Sequence, residues 1–458
     1  MNSKTAFNSY LKGRVKMELT RLSEIMRKAG VVGAGGAGFP SYAKLNMAAD
    51  TIILNCAECE PLLKLHRQML SDYASEIMET LEEIADTLEA SQVIIAVKHA
   101  YTDAINAVKA NLSKCPKTKI GYLPEIYPAG DEVVTIYETT GRVVNPGSLP
   151  ISVGCIVFNV ETIYNVYRAW KENAPVTHKY ITVAGEVKNP CTFKAPLGIT
   201  YGELIEMAGG ETHPDTLIVA GGPMTGRIGA KSDVVTKTSN AILVMPRNAY
   251  IVQKRVIPLT LDVKRAMAAC CQCRYCTDLC SRNLVGHPIE PHKIMRAVAS
   301  GNATDIEGLI GAFSCSSCGL CEMYACGQGL NPRTLIGELK GKLRAGGIMP
   351  PKGLEAAPVD SGRDYKRVPM SRLIARLGLS KYDVDAPIVD TVVSSKSLKV
   401  MLSQSIGAPS TATVKVGDTI KAGDVLGMFD EAKLGTGVHA PVDGKVKEVT
   451  DKYILIEA

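Results

Sequence analysis

Cys270-Cys271-Gln272-Cys273-Arg274-Tyr275-Cys276-Thr277-Asp278-Leu279-Cys280 and Cys315-Ser316-Ser317-Cys318-Gly319-Leu320-Cys321, with Cys326 beyond, hold nine of the fourteen cysteines in a chain of 458 residues. Reduced to ligands, the two runs read C-x2-C-x2-C-x3-C and C-x2-C-x2-C-x4-C. Three thiolates two residues apart can wrap one corner of a cubane, and a more distant fourth closes it.

In bacterial ferredoxins the fourth cysteine of such a run usually ligates the other cluster. The spacing therefore predicts one [4Fe-4S] cluster on Cys270, Cys273, Cys276 and Cys326, and a second on Cys315, Cys318, Cys321 and Cys280. Cys271 is left over as a bystander. Structural zinc takes four ligands, typically as two C-x2-C pairs or Cys and His mixtures, and two triplets plus two singles exceed that. Disulfides need an oxidising setting, and no signal-peptide pattern opens the sequence, so a cytoplasmic, reducing location is expected. Ser281 and Gly327 stand where many two-cluster ferredoxins carry proline. Between Cys280 and Cys315, residues 292–300 and 303–312 look helical, which favours a helical ferredoxin domain. His287 and His292 in this connector are expected at the surface.

A pair of clusters is a wire and needs something at each end. Apolar residues make up 46% of the chain, enough for about three or four cored domains. The net charge of +6 is not gathered into a basic stripe, which argues against a nucleic-acid partner. No apolar run approaches the ~18 residues of a membrane span.

Residues 1–20, with Lys4, Lys12, Arg14 and Lys16, read as a leader or a short docking helix. Leu22, Ile25, Met26 and Ala29 are spaced for a helix ending at Gly30. Gly33-Ala34-Gly35-Gly36-Ala37-Gly38 follows. It satisfies G-x-G-x-x-G, but a helix precedes it and Phe39-Pro40 follows, so it is not the ordinary dinucleotide fingerprint. Without Cβ atoms its backbone can still lie against a flat ring and turn N–H groups toward a phosphate. Thr51–Leu54 and Val93–Val97 read as buried strands, with a long helix over 68–88 and another over 103–112. This βαβα order predicts a parallel sheet with ligands beyond its strand ends. Asn55-Cys56-Ala57-Glu58-Cys59-Glu60-Pro61 occupies such an end; its C-x-x-C does not open a helix, which argues against a thioredoxin-like pair. Tyr127–Glu132 and Phe158–Thr162 read as two further functional loops.

Residues 180–246 read as a ubiquitin-like α+β module, expected to act as a spacer. The Gly-Asp turns of Val414–Val446 predict a flattened β-barrel. That last domain is similar to lipoyl and biotinyl carriers, but Lys433 lacks their modification context, so a docking or structural role is expected.

Taken together, Gly33–Pro40, Asn55–Pro61, Tyr127–Glu132 and Asn159–Thr162 resemble the FMN-binding subunit of respiratory complex I and, more closely, RnfC. The order of parts, with "LSQSIGAP" and "VHAPVDG" at the end, most resembles the PduS-type cobalamin reductases of propanediol-utilisation microcompartments. The resemblance implies a multidomain α/β and α+β chain. Its expected parts are a leader (1–20), a Rossmann-like FMN and NADH domain (21–175), an SLBB β-grasp module (176–250), an α-helical two-cluster ferredoxin domain (251–345), a linker (346–365) and a barrel-sandwich hybrid (366–458). It also implies site roles. Gly33, Gly35 and Gly36 would lie along FMN, with Lys44 and Asn55 on its ring and ribityl edge. Gly130 and Asp131 would line the ring face, and Asn159 and Thr162 the phosphate end. Phe39, Glu60 and Glu132 would meet NADH. Ala57 and Phe158 depart from the complex I pattern. Implied, finally, are cobalamin as acceptor, an adenosyltransferase and a shell protein as partners, and association with a bacterial microcompartment. An RnfC-like component passing electrons from NADH to ferredoxin and a shell-linked electron conduit are the alternative expectations.

Overall fold

The computed structural model describes residues 17–389 and 393–458; most of the leader lies outside them. The first domain is built on a four-stranded parallel sheet. In spatial order its strands are Thr118–Leu123, Gln92–Lys98, Thr51–Cys56 and Cys155–Asn159. Leu54 sits opposite Ile95 on one side and Phe158 on the other. Helices cover both faces of Gln92–Lys98, Thr51–Cys56 and Cys155–Asn159, which are buried almost throughout, whereas the edge strand Thr118–Leu123 is partly exposed. The chain order reverses between Thr51–Cys56 and Cys155–Asn159, which opens a crevice at their carboxyl ends.

The helix expected over 68–88 is two helices, Leu65–Asp72 and Ala74–Thr87. Tyr73 leaves helical geometry between them and stacks on Tyr164 at 4.2 Å, a tertiary contact that overrides local propensity. Phe158–Thr162 is not a loop. The strand runs to Asn159 and the helix Val160–Lys171 begins at once, capped by the Asn159 side chain.

The β-grasp module centres on His178–Gly185, paired antiparallel to Cys191–Pro196 and parallel to Ala241–Pro246. Its hydrophobic core is continuous with that of the C-terminal sandwich: Ile181, Val183, Leu398, Val400 and Ile454 belong to one buried cluster. In the sandwich, one sheet contains Ser397–Met401, Tyr453–Glu457, Gly444–Val449 and Thr419–Ile420. The other contains Thr411–Ala412, Val425–Met428 and Val438–His439.

The cysteine-bearing region is helical, with Leu259–Ala269, Pro291–Ser300 and Pro332–Ala345 packed around the cysteine loops. Residues 346–365, expected as a linker, form a bonded strap. The Ala357 N–H donates to Gly286 O at 2.9 Å, Arg363 is buried against Glu138, and Val368–Pro369 then pairs with Ile126–Tyr127.

His287 is not at the surface. It is buried, and its Nε2 lies 2.8 Å from Val144 O, tying the helical region to the first domain. His292 is half-buried against Thr277, Nδ1 to Oγ1 2.8 Å.

Candidate flavin and cluster sites

At the crevice, Val32 and Pro40 pair and the Gly33 N–H donates to Phe39 O at 2.9 Å, closing 33–39 into a ledge. The Ala34 N–H donates to Thr162 Oγ1 at 3.0 Å, fixing the ledge to the N-terminus of the helix Val160–Lys171. A Cβ on Gly35 would lie 2.4 Å from Asn159 Nδ2, whereas one on Gly36 would meet nothing within 4 Å. Gly36 therefore faces open space at a strand-end crevice, a shelf that fits a flat ring. A helix N-terminus at one end of that shelf fits a phosphate.

The opposite wall comes from the other two segments. Asn55 Nδ2 donates to Gly130 O at 2.9 Å and its Oδ1 accepts from the Ala57 N–H at 3.1 Å. The Gly130 N–H donates to Cys59 Sγ at 2.6 Å. Asp131 caps the helix Glu132–Thr140 by accepting from the N–H groups of Val133 and Val134. Lys44 Nζ donates to Val157 O at 2.8 Å and pairs with Glu132 at 3.2 Å. Phe39 is half-buried at the end of the ledge.

Glu60 is placed elsewhere. Its carboxylate accepts from the N–H groups of Met224 (2.8 Å) and Thr225 (2.9 Å) and from the Thr225 hydroxyl, all in the β-grasp turn. On the other side that turn meets Arg333, whose Nη1 donates to Met224 O at 2.7 Å, and Arg255, bonded to Pro223 O. The β-grasp module is thus a keystone between the first domain and the helical region, not a free spacer.

Three further residues of this region make contacts that the sequence did not point to. His66 Nε2 lies 3.0 Å from Asn159 Nδ2. Burial, with the charge of Lys179 behind it, lowers its pKa to about 3, so it is neutral and accepts that bond. Burial likewise pushes the Cys59 thiol up to about 11, so it is an uncharged acceptor. Arg282, two residues after Cys280, pairs with Asp131 across the domain boundary, Nε to Oδ1 2.9 Å.

The structure brings the eight expected cysteines together as two groups. Cys270, Cys273, Cys276 and Cys326 line one cavity of about 500 Å³ with Cys271, whose thiol is exposed. Cys276 is pushed up to about 12 by burial and by the neighbouring Cys326, Cys273 and Cys270. Cys280 is raised to about 11 by burial and by Cys315. Cys321 is raised by burial and by Cys315, Cys318 and Cys280.

Among the described residues no three His, Cys, Asp or Glu side chains close on a point as they would around a single ion. Both cysteine loops also share a costly backbone. Gln272 and Arg274 flank Cys273 at φ 56° and 65°, and Ser317 and Gly319 flank Cys318 at φ 60° and 80°. Left-handed residues on both sides of the middle cysteine turn successive thiols inward. Buried thiols that raise one another's pKa fit a positively charged group held among them, which would deprotonate them.

Matches to four family models follow the same layout. They are the Nuo51 FMN-binding domain (residues 26–168), the SLBB domain (180–228), the 4Fe-4S dicluster domain (269–331) and the RnfC barrel sandwich hybrid domain (380–457). Fold and domain matches together define a flavin-domain and iron–sulfur protein, of the class that includes RnfC and the FMN-binding part of complex I.

The chain is 38% identical to cobalamin reductase PduS of Salmonella typhimurium, over 99% of each chain. It is 39% identical to that of Citrobacter freundii, over 95% of this chain and 96% of the relative. It belongs to the PduS cobalamin reductase family, a family of oxidoreductases. A component of the ion-translocating oxidoreductase complex of Erwinia tasmaniensis is 31% identical over 59% of this chain and 33% of its own length.

Proposed function

We propose that the protein uses NADH to reduce cobalamin toward cob(I)alamin, through FMN and two [4Fe-4S] clusters. The observation that carries this reading is continuity of packing. Cys59 and Tyr127 of the first domain share one apolar core with Cys318, Leu320 and Met323 of the helical region. FMN would take a hydride from NADH and pass its two electrons on singly, and the clusters would relay them.

The chain's own residues position and insulate. Gly33, Gly35 and Gly36 would lie along the ring, and Gly130 and Asp131 against its other face. Lys44 and Asn55, already oriented by Val157 O and Gly130 O, would meet the ring and ribityl edge. Asn159 and Thr162, at the N-terminus of a twelve-residue helix, would face the phosphate. Phe39 and Glu132 would meet the nicotinamide nucleotide. Glu60 would join them only by leaving its β-grasp donors. The quartet Cys280, Cys315, Cys318 and Cys321 lies on the flavin side of the wire. The quartet Cys270, Cys273, Cys276 and Cys326 has Cys273 exposed and faces solvent.

An oxidised NADH leaves NAD⁺, a proton and two electrons, which balances one cob(III)alamin taken to cob(I)alamin. The relatives' name supports the corrinoid acceptor. The expected partners are an adenosyltransferase that uses the product and a microcompartment shell protein. Among the described residues no helix is long and apolar enough to cross a membrane. Protein purified without oxygen is expected to contain iron, sulfide and FMN, and to bleach cob(II)alamin with NADH, faster with the transferase present. Zinc in place of iron, or clusters that stay oxidised under NADH with FMN supplied, would overturn the reading.

A further inference from the structure

Asp131 belongs to the wall against which the flavin is proposed to lie, and Arg282 belongs to the turn after Cys280. Arg282 Nε lies 2.9 Å from both Asp131 carboxylate oxygens. The carboxylate cannot swing, because Oδ1 also accepts from the N–H groups of Val133 (3.1 Å) and Val134 (3.4 Å). Its side chain is 5% exposed and that of Arg282 20%. The charges that act on the guanidinium are those of Asp131, Glu132 and Cys318. The Arg282 charge and the backbone dipoles of Arg282 and Asn283 act on the Cys280 thiol. From the far side, Lys340 Nζ donates to Cys315 O at 3.1 Å.

We propose that Arg282 and Asp131 are a pair of opposed positioning residues that set the potential of the cluster held by Cys280, Cys315, Cys318 and Cys321, and with it the flavin-to-cluster step. The inference rests on the electron-relay reading above. One-electron reduction adds a negative charge to a cluster. A guanidinium on the turn that follows Cys280 favours the reduced form, and the carboxylate holding it offsets part of that effect. Because both groups are largely buried, salt screens them little.

The two single variants must therefore move the potential in opposite directions, which a mere tether between domains would not do. The test is an anaerobic redox titration of the full-length protein followed by electron paramagnetic resonance. Iron, sulfide and FMN are counted in every sample. Arg282→Gln is expected to lower the midpoint of that cluster by at least a tenfold change in its reduction equilibrium, about 59 mV for one electron. Asp131→Asn is expected to raise it. The double variant should return near the starting value, Arg282→Lys should restore most of the loss, and the other cluster should stay within a small fraction of these shifts. Equal shifts of both clusters, shifts of one sign in both single variants, or no shift with clusters intact would overturn this inference and leave the relay reading standing. Wild-type protein devoid of clusters would sink both.

Discussion

Tyr127 Oη donates to the carbonyl oxygen of Cys318 at 2.5 Å, so a buried side chain of the first domain holds the middle residue of a cysteine loop. The bond links wall and wire directly. Tyr127→Phe keeps the packing and leaves a carbonyl without its donor, which costs about 1 kcal/mol. FMN and iron content are expected to stay at wild-type levels while NADH-driven reduction of the clusters slows in stopped-flow measurements. Unchanged rates with a lowered melting temperature would show the bond to be structural only.

Gly36 separates folding from binding. Nothing lies within 4 Å of the position a Cβ would take, and its φ is not in the left-handed region. Gly36→Ala should therefore leave thermal stability unchanged or raise it by a few tenths of a kcal/mol. If the shelf holds the ring, the added methyl occupies its space, and the dissociation constant for FMN should rise tenfold or more in a fluorescence titration. Gly35→Ala is the contrast, because its Cβ would press on Asn159 and stability and FMN binding should fall together. Unaltered FMN affinity in Gly36→Ala would place the flavin elsewhere.

Much of this architecture is legible in short-range signals. Apolar runs such as Val93–Val97 predict a parallel sheet, and helical spacing at Leu22, Ile25, Met26 and Ala29 predicts the helix Leu19–Lys28. The cysteine spacing predicts two groups of four thiols, and two groups are what the chain brings together. What escaped is tertiary. No local pattern separates the break at Tyr73 from helix interior, because its cause, the ring of Tyr164, is ninety-one residues away. The β-grasp turn at Met224 reads as spacer because its partners, Glu60 and Arg333, come from other domains. His287 reads as surface because a lone histidine usually is. Arg282 had one available signal, a cation two residues from a cluster ligand, but only the fold supplies the carboxylate it meets.

Glu161 and Lys179 form an ion pair whose side chains are each 1% exposed, joining the helix Val160–Lys171 to the first β-grasp strand. Lys179 also donates to Tyr180 O, and Glu161 accepts from the Tyr180 N–H. Removing one partner strands a buried charge, so Glu161→Gln or Lys179→Met is each expected to cost about 3–5 kcal/mol. The double variant should cost less than the two singles summed, because neither charge is left behind. Chemical denaturation of all four proteins reads the cycle, and strict additivity would disprove the coupling.

His66 makes the protein acid-sensitive in a definite window. Burial lowers its pKa from 6.5 to about 3, so between those values the unfolded chain holds a proton that the folded chain refuses. Its contribution is fully present above pH 6.5 and is lost as pH falls toward 3, at no more than about 1.4 kcal/mol per pH unit. At pH 5 this reaches about 2 kcal/mol. His66→Gln keeps an oxygen to accept from Asn159 Nδ2 and has no proton to gain. Its stability should decline less steeply than wild type from pH 7 to pH 5, and parallel curves would refute the assignment.

The crossed pairing of the cysteines yields the sharpest contrast. Cys280 follows the Cys270 run in sequence but sits with Cys315, Cys318 and Cys321, and Cys326 follows the Cys315 run but shares a cavity with Cys270, Cys273 and Cys276. Cys280→Ser should therefore degrade the signal of the Cys315-loop cluster and spare the other, and Cys326→Ser should do the reverse. Cys271→Ala, which removes an exposed thiol from the same cavity rim, should leave both signals and the iron content intact. To tell the clusters apart, Cys273→Ser and Cys318→Ser mark the spectrum of each loop by its loss. If Cys280→Ser instead mimics Cys273→Ser, each run closes its own cluster, and the route from the Tyr127 boundary to the exposed face at Cys273 would have to be drawn again.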